Sequence, residues 1–196
     1  MNAHMGHLKT AGFVDSKFEG PLENQSLFAT ILIAQRTGQG CLPDTLGLAT
    51  DDYQQMLERY FSGIKGMIES PNNLREQNAI RLELLELRAA ETSDLLGLLR
   101  QHAKGADRSE DWLAQIVTAG CMGSDHLWRD LGLLNRDSLK SLFSYNFPGL
   151  AEKNTGNMRW KKFLYRQLCE QGGHFVCRSP SCETCPTYDD CFGDET

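Results

Sequence analysis

The chain has 196 residues, 40% of them hydrophobic and 23% charged, enough to bury about 70% of the unfolded surface and to build a core without disulfide staples. A formal charge of -6, from 20 basic against 26 acidic side chains, excludes a global pull toward nucleic acid or anionic lipid, so any anion site has to be local.

Residues 1–22 lack hydrophobic periodicity and read as a mobile N-terminal leader. They contain no apolar core of a secretory signal, and the longest apolar stretch, Leu27 to Ala34, is interrupted by Thr30 and too short to cross a bilayer. A cytoplasmic protein is expected, with no membrane association. From Glu23 the spacing of Leu27, Ile31 and Ala34 predicts a helix that ends at Thr37-Gly38-Gln39-Gly40. Asp51 and Asp52 suit a helix N-terminus, and Met56, Leu57, Tyr60, Phe61 and Ile64 form the stripe of a second helix. Leu74 to about His102 is long enough for one bent helix or two, with Thr92-Ser93-Asp94 as a candidate restart.

Ser109 reads as an N-cap followed by the acidic first turn Glu110-Asp111, with Trp112, Leu113, Ile116, Val117 and Cys121 on one face and Gly123 just past the end. Asp137 to Phe147 reads as a further helix stopped by Pro148-Gly149, and Met158 to Gln171 as the last before Gly172-Gly173. No β alternation is present. The expected architecture is all-α: a helical bundle-like domain over residues 23–171 and a Cys-rich, cluster-binding coil over 172–196.

Four of the seven cysteines fall in that coil, as Cys177, Cys182, Cys185 and Cys191 in a C-x4-C-x2-C-x5-C arrangement. Four thiolates within fifteen residues can converge on one metal centre, and Pro180 and Pro186 stiffen the chain between them. A reducing compartment disfavours a disulfide knot. Zinc accepts four cysteines as well, but zinc ribbons present two C-x2-C pairs, whereas here one pair is flanked by single cysteines. A proline after a ligand cysteine, as in Cys185-Pro186, recurs in ferredoxin-type motifs, so the spacing favours an iron–sulfur cluster and leaves zinc open.

The preceding segment is oppositely charged, with residues 151–170 at a net +3 and residues 171–196 at -4. Arg159, Lys162, Arg166 and Cys169 share a face of the last helix, which reads as a solvated basic face or as an oxyanion-attracting patch with Cys169 as an extra soft ligand. Cys121 and His126 flank a Gly-centred helix break. They could serve as metal ligands or simply as core packing and a cap. Cys41 lies in a Gly-rich loop with no partner pattern and is given no role.

At Cys121 through Leu133, Asn146-Phe147-Pro148, Asn154 through Glu170 and the terminal cysteines, the sequence resembles the NifQ family of nitrogen-fixation proteins. The resemblance covers roughly residues 45 to 191 and is most specific from 112 onward. It implies a carrier or donor rather than an enzyme. Such a protein processes molybdenum for the iron–molybdenum cofactor of nitrogenase, with the cofactor-assembly scaffold proteins, the nitrogenase iron protein and molybdate as partners. It further implies that Cys177, Cys182, Cys185 and Cys191 hold a 3Fe-4S or 4Fe-4S cluster, or a Mo-3Fe-4S cube, and it raises Cys121, His126 and Cys169 to candidates near the cluster or molybdenum. Two other readings are a cluster-bearing DNA-repair glycosylase and a zinc-stabilised interaction module. The first lacks its Gly-rich hairpin here and would want the opposite net charge; metal content separates the second.

Overall fold

The computed structural model describes residues 22–63, 75–172 and 188–193, and among these the chain is helical without a strand. In chain order the helices are α1 (Leu22–Arg36), α2 (Thr50–Phe61), α3 (Arg75–Leu87), α4 (Ala89–Gln101) and α5 (Ser109–Cys121). They continue with α6 (Leu127–Asp130), α7 (Arg136–Asn146), α8 (Pro148–Lys153), α9 (Trp160–Gln171) and α10 (Asp189–Phe192). The all-α expectation holds for the described residues. The expected coil falls largely on residues 173–187, outside them, and so do Ile64 and residues 1–21 of the expected 1–22 leader, whose last residue, Leu22, is instead the first of α1. Where the tail is described, at 188–193, it is a short helix packed on the domain rather than a coil.

Helix α5 is the centre of the molecule. Its sequence is apolar or small around most of its circumference, and a helix of that kind is stable only when neighbours cover every side. Trp112, Leu113, Ala114, Ile116, Val117, Ala119 and Cys121 are all buried, against α2, α4 and α6. Helix α4 in turn carries α9, while α6, α7 and α8 follow one another along the other flank. One continuous core results, running from Phe28 and Ile31 of α1 to Phe163 and Leu164 of α9.

Polar residues fix the ends of these helices. Ser109 is the first helical residue rather than the N-cap. The orphan amide work is done by Asp107, which accepts from the Ser109 N–H at 2.9 Å, and by buried Glu110, which accepts from Gly105, Ala106 and Asp107 at 2.6, 3.0 and 3.1 Å. The break in the long central segment lies at Arg88, not at Thr92, whose hydroxyl donates back to the Ala89 carbonyl within α4. Arg88 leaves helical geometry and closes a fork on Glu91. Pro148 does stop α7, but it also opens α8 from its first turn, where a missing N–H costs nothing.

Candidate metal centre and the adjoining cavity

Of the four cysteines in the C-x4-C-x2-C-x5-C run, Cys177, Cys182 and Cys185 lie outside the described residues. Cys191 sits on α10, half-buried against the core, and forms no disulfide among the described residues. Its position is set by the backbone: the Arg159 N–H donates to the Cys191 carbonyl at 2.8 Å, at the N-terminus of α9. The Phe192 ring lies over Gly156, where an added Cβ would come within 3.2 Å of it, and stacks with Tyr188 at 4.7 Å. The last cysteine of the run is thereby fastened to the loop that enters α9.

Beside this attachment is an open cavity of about 320 Å³, lined by Ser124, Asp125, His126, Leu127, Arg159, Trp160, Lys161 and Lys162. His126 and the two basic residues Arg159 and Lys162, 33 or more positions apart in sequence, are brought together here. Arg166 is not part of the lining; it pairs with Glu170 one turn further along α9 at 2.7 Å. Cys169 is exposed, also away from the cavity. The sequence reading of one continuous basic face therefore divides in two, because Arg159 ends up at the helix entrance and Arg166 finds a partner on its own helix.

Behind the cavity, Asp130 and Lys161 form an ion pair that holds the Gly-centred loop after α5. Asp130 is buried and accepts from the Asp125 N–H at 3.0 Å, and Lys161 also donates to the Gly123 carbonyl at 2.8 Å. Gly123 is required by this arrangement: a Cβ there would stand 2.3 to 2.5 Å from the Asp130 carboxylate. The Asp130 carbonyl accepts from the Cys41 N–H at 2.9 Å, and Gly40, at φ +73°, leaves room for it. Asp130, Lys161 and Cys41 are thus the site neighbours that sequence reasoning missed. Only the Gly-rich composition around Cys41 and Gly123 hinted at close approach.

Cys121 lies in the core at 3% exposure, and burial pushes its thiol up to about 12 against a smaller pull from Lys161. Burial, reinforced by the Asp130 carboxylate, likewise pushes Cys41 up to about 12. Both are neutral thiols at neutral pH. Among the described residues no three His, Cys, Asp or Glu side chains gather as a ligand set, so Cys121, His126 and Cys169 do not form one.

The profile of the NifQ family matches residues 27–193. Protein NifQ of Azotobacter vinelandii is 48% identical over 167 residues, which cover 84% of this chain and 86% of that protein. Protein NifQ of Klebsiella pneumoniae is 37% identical over 156 residues, covering 79% of this chain and 90% of its own. Protein NifQ of Rhodobacter capsulatus is 36% identical over 156 residues, 79% of each chain. No solved structure matches the chain. With the family profile spanning α1 through α10 and relatives this similar over most of their length, the chain belongs to the NifQ family.

Proposed function

We propose that this protein is a molybdenum carrier of nitrogen fixation: it holds an iron–sulfur cluster on Cys177, Cys182, Cys185 and Cys191 and donates molybdenum for assembly of the iron–molybdenum cofactor. The observation that carries the reading is the C-x4-C-x2-C-x5-C run, whose last cysteine is tied by its carbonyl to the entrance of α9. The donor set fits such a group: four soft thiolates within fifteen residues, one of them a half-buried cysteine seated on the folded domain. When bound, the cluster supplies soft sulfide donors able to hold molybdenum in a mixed-metal cube.

The chain's own residues do the rest. Arg159 anchors the tail through its backbone, Lys161 and Asp130 brace the neighbouring loop, and Cys121 packs α5. The recipients on this reading are the cofactor-assembly scaffold proteins and the nitrogenase iron protein. The role is carriage and donation rather than enzymatic turnover. No described helix is long and apolar enough to cross a membrane, which suits a protein that meets such recipients in the aqueous phase.

The test is the content of iron, sulfide, zinc and molybdenum, with visible and EPR spectra, on protein purified without oxygen from molybdate-fed cells. About three or four irons and sulfides per chain, with molybdenum below one, are expected. Cys182→Ala or Cys185→Ala should abolish cluster retention. A colourless protein with about one zinc per chain would make the tail a structural clamp and remove the basis for molybdenum carriage.

A further inference from the structure

Helix α3 engages the domain along one side only. That side is fixed by polar bonds to the loop after α1: Arg81 donates to the Gly40 and Leu42 carbonyls at 2.8 Å each, and Asn78 accepts from the Asp44 N–H at 2.8 Å. Leu84 and Leu85 pack, partly buried, against the edge of the core. No residue of α3 is fully buried, whereas each of the other long helices, α1, α2, α4, α5, α7 and α9, seals several side chains in the core. The chain does not turn away where α3 ends. The Arg88 N–H donates to the Leu84 carbonyl at 3.1 Å and the Arg88 carbonyl accepts from the Thr92 N–H at 2.9 Å, so the helical ladder runs through the break into α4.

On the outward side, Glu76, Ile80, Glu83, Leu87, Ala90 and Asp94 follow one another at steps of three and four residues, within about 80° of arc at about 100° per residue. All six are exposed, Ile80 at 65% and Leu87 at 76%. A single exposed aliphatic side chain is ordinary, but two on one line, two turns apart, forfeit apolar burial twice on the same surface. The carboxylates beside them are unpaired as well. Glu76, Glu83, Glu86 and Asp94 make no ion pair or hydrogen bond among the described residues, because Arg81 is turned inward, Arg88 closes on Glu91 and Arg100 on Asp111. The helix dipole accounts for Glu76 in the first turn of α3 but not for Glu86 in its last turn, which carries no basic residue.

We infer that this outward stripe of α3 and α4 is a docking surface for a basic amphipathic helix of a partner protein, whose apolar side chains meet Ile80 and Leu87 and whose Lys or Arg side chains meet Glu83 and Asp94. Steps of three and four are the spacing at which one helix seats against another, and the stripe extends over about 30 Å, enough for several turns of a partner. Charge decides the occupant. A second copy of this chain is disfavoured, because parallel pairing sets each carboxylate against its own copy and antiparallel pairing in register sets Glu76 against Asp94. Four free carboxylates repel phosphate backbones and acidic surfaces too. A helix bordered by Lys or Arg satisfies both the apolar line and the charge. The inference uses no residue of the cysteine run and stands apart from the carrier reading.

The experiment titrates the full chain into a fluorescein-labelled synthetic peptide and follows its anisotropy. The peptide is a helix of about 25 residues with Leu and Lys repeating along one face at three- and four-residue steps and Gln and Ala elsewhere. It should bind, and raising the salt from about 50 to about 300 mM should weaken it severalfold. A peptide of the same composition with the face scrambled, and one with Glu in place of Lys, should each bind about tenfold more weakly or worse. Ile80→Ser and Leu87→Ser should each weaken binding about fivefold or more, and Glu83→Gln with Asp94→Asn together about fivefold. Glu152→Gln, exposed on α8, should stay within about twofold of wild type. All these substitutions fall on exposed side chains, and circular dichroism checks that each variant is folded. No binding up to about 1 mM, or equal binding of the scrambled peptide, overturns the proposal. Serine variants that bind as wild type does overturn it too, because they reduce the stripe to diffuse charge attraction. A chain that dimerises in sedimentation equilibrium and becomes monomeric on Leu87→Asp gives the face to a second copy, which also overturns it.

Discussion

Asp130 shows how much of the site one side chain can organise. Its carboxylate takes the Lys161 ammonium and the Asp125 N–H, while its carbonyl takes the Cys41 N–H, so the loops after α1 and α5 and helix α9 meet on one residue. Asp130→Ala leaves the Lys161 charge without its partner in a mostly buried setting and should cost about 3–5 kcal/mol in urea unfolding. Asp130→Asn keeps an acceptor for Asp125 and should cost less. An alanine variant within about 1 kcal/mol of wild type would show that the clamp is dispensable. The thiols supply a second residue-scale prediction. Cys169 is exposed, Cys121 is screened by the core and Cys41 is half-buried, with burial pushing the last two thiols up to about 12. Alkylation at pH 8, mapped by mass spectrometry, should modify Cys169 within minutes, Cys41 more slowly and Cys121 only on unfolding. Rapid labelling of Cys121 in the folded chain would contradict its place in the core.

At the scale of elements, the N-terminus of α5 depends on charge. Burial pushes the Asp107 carboxyl up, but hydrogen bonds from Ser109 and the ion pair with Arg59 at 2.6 Å outweigh it and hold the group below its ordinary range. A carboxyl depressed in the folded state stabilises fully above its unfolded value of about 3.9 and loses that contribution as pH falls through the lower folded value. Asp107→Ala should therefore cost about 1–2 kcal/mol at pH 7, and the gap to wild type should narrow at pH 3. An unchanged gap would mean that the side chain acts by shape and not by charge. The same helix shows what periodicity could and could not reveal. Its apolar run and the glycine past its end were legible because both are local patterns, and so were α1, α2, α7 and α9 to within two residues where described. The break at Arg88 was not, because the Thr92-Ser93-Asp94 signal was real as local chemistry yet lost to an Arg88–Glu91 fork and the packing of α4 on α5 and α9. Cys41, Asp130 and Lys161 were invisible for a plainer reason: they meet across 31 or more residues, and no spacing rule reaches that far. The cysteine run was legible as a ligand set from spacing alone, whereas the cavity beside it is made of two loops that only the fold brings together.

On the scale of the whole molecule, the domain offers the tail a preformed socket. The loop between α8 and α9 is pinned before any metal is considered: the Asn154 side chain accepts from the Met158 N–H at 2.8 Å and donates to the Met158 carbonyl at 3.0 Å, and Arg136 donates to the Asn157 carbonyl at 2.6 Å. Gly156 in that loop receives the Phe192 ring, and the Arg159 N–H donates to the Cys191 carbonyl. Ordering one end of the cysteine run in advance lowers the entropy that must be lost when the remaining cysteines close on a metal. Phe192→Ala removes the ring that seats on the loop and packs, partly buried, against the edge of the core, and it leaves all four cysteines of the run in place. Because Phe192 is only partly buried at the periphery, the melting temperature should fall by no more than about 4 °C. Iron loss to a competing chelator should accelerate several-fold, since the tail now leaves the socket more often. The two readouts, followed on the same anaerobic preparation, separate docking from folding. Faster iron loss with a nearly unchanged melting curve places the effect in the socket. Iron loss at the wild-type rate would mean that the cysteine run holds its metal without help from the domain, and that the bond between Arg159 and Cys191 is a consequence of chain direction rather than a support for the centre.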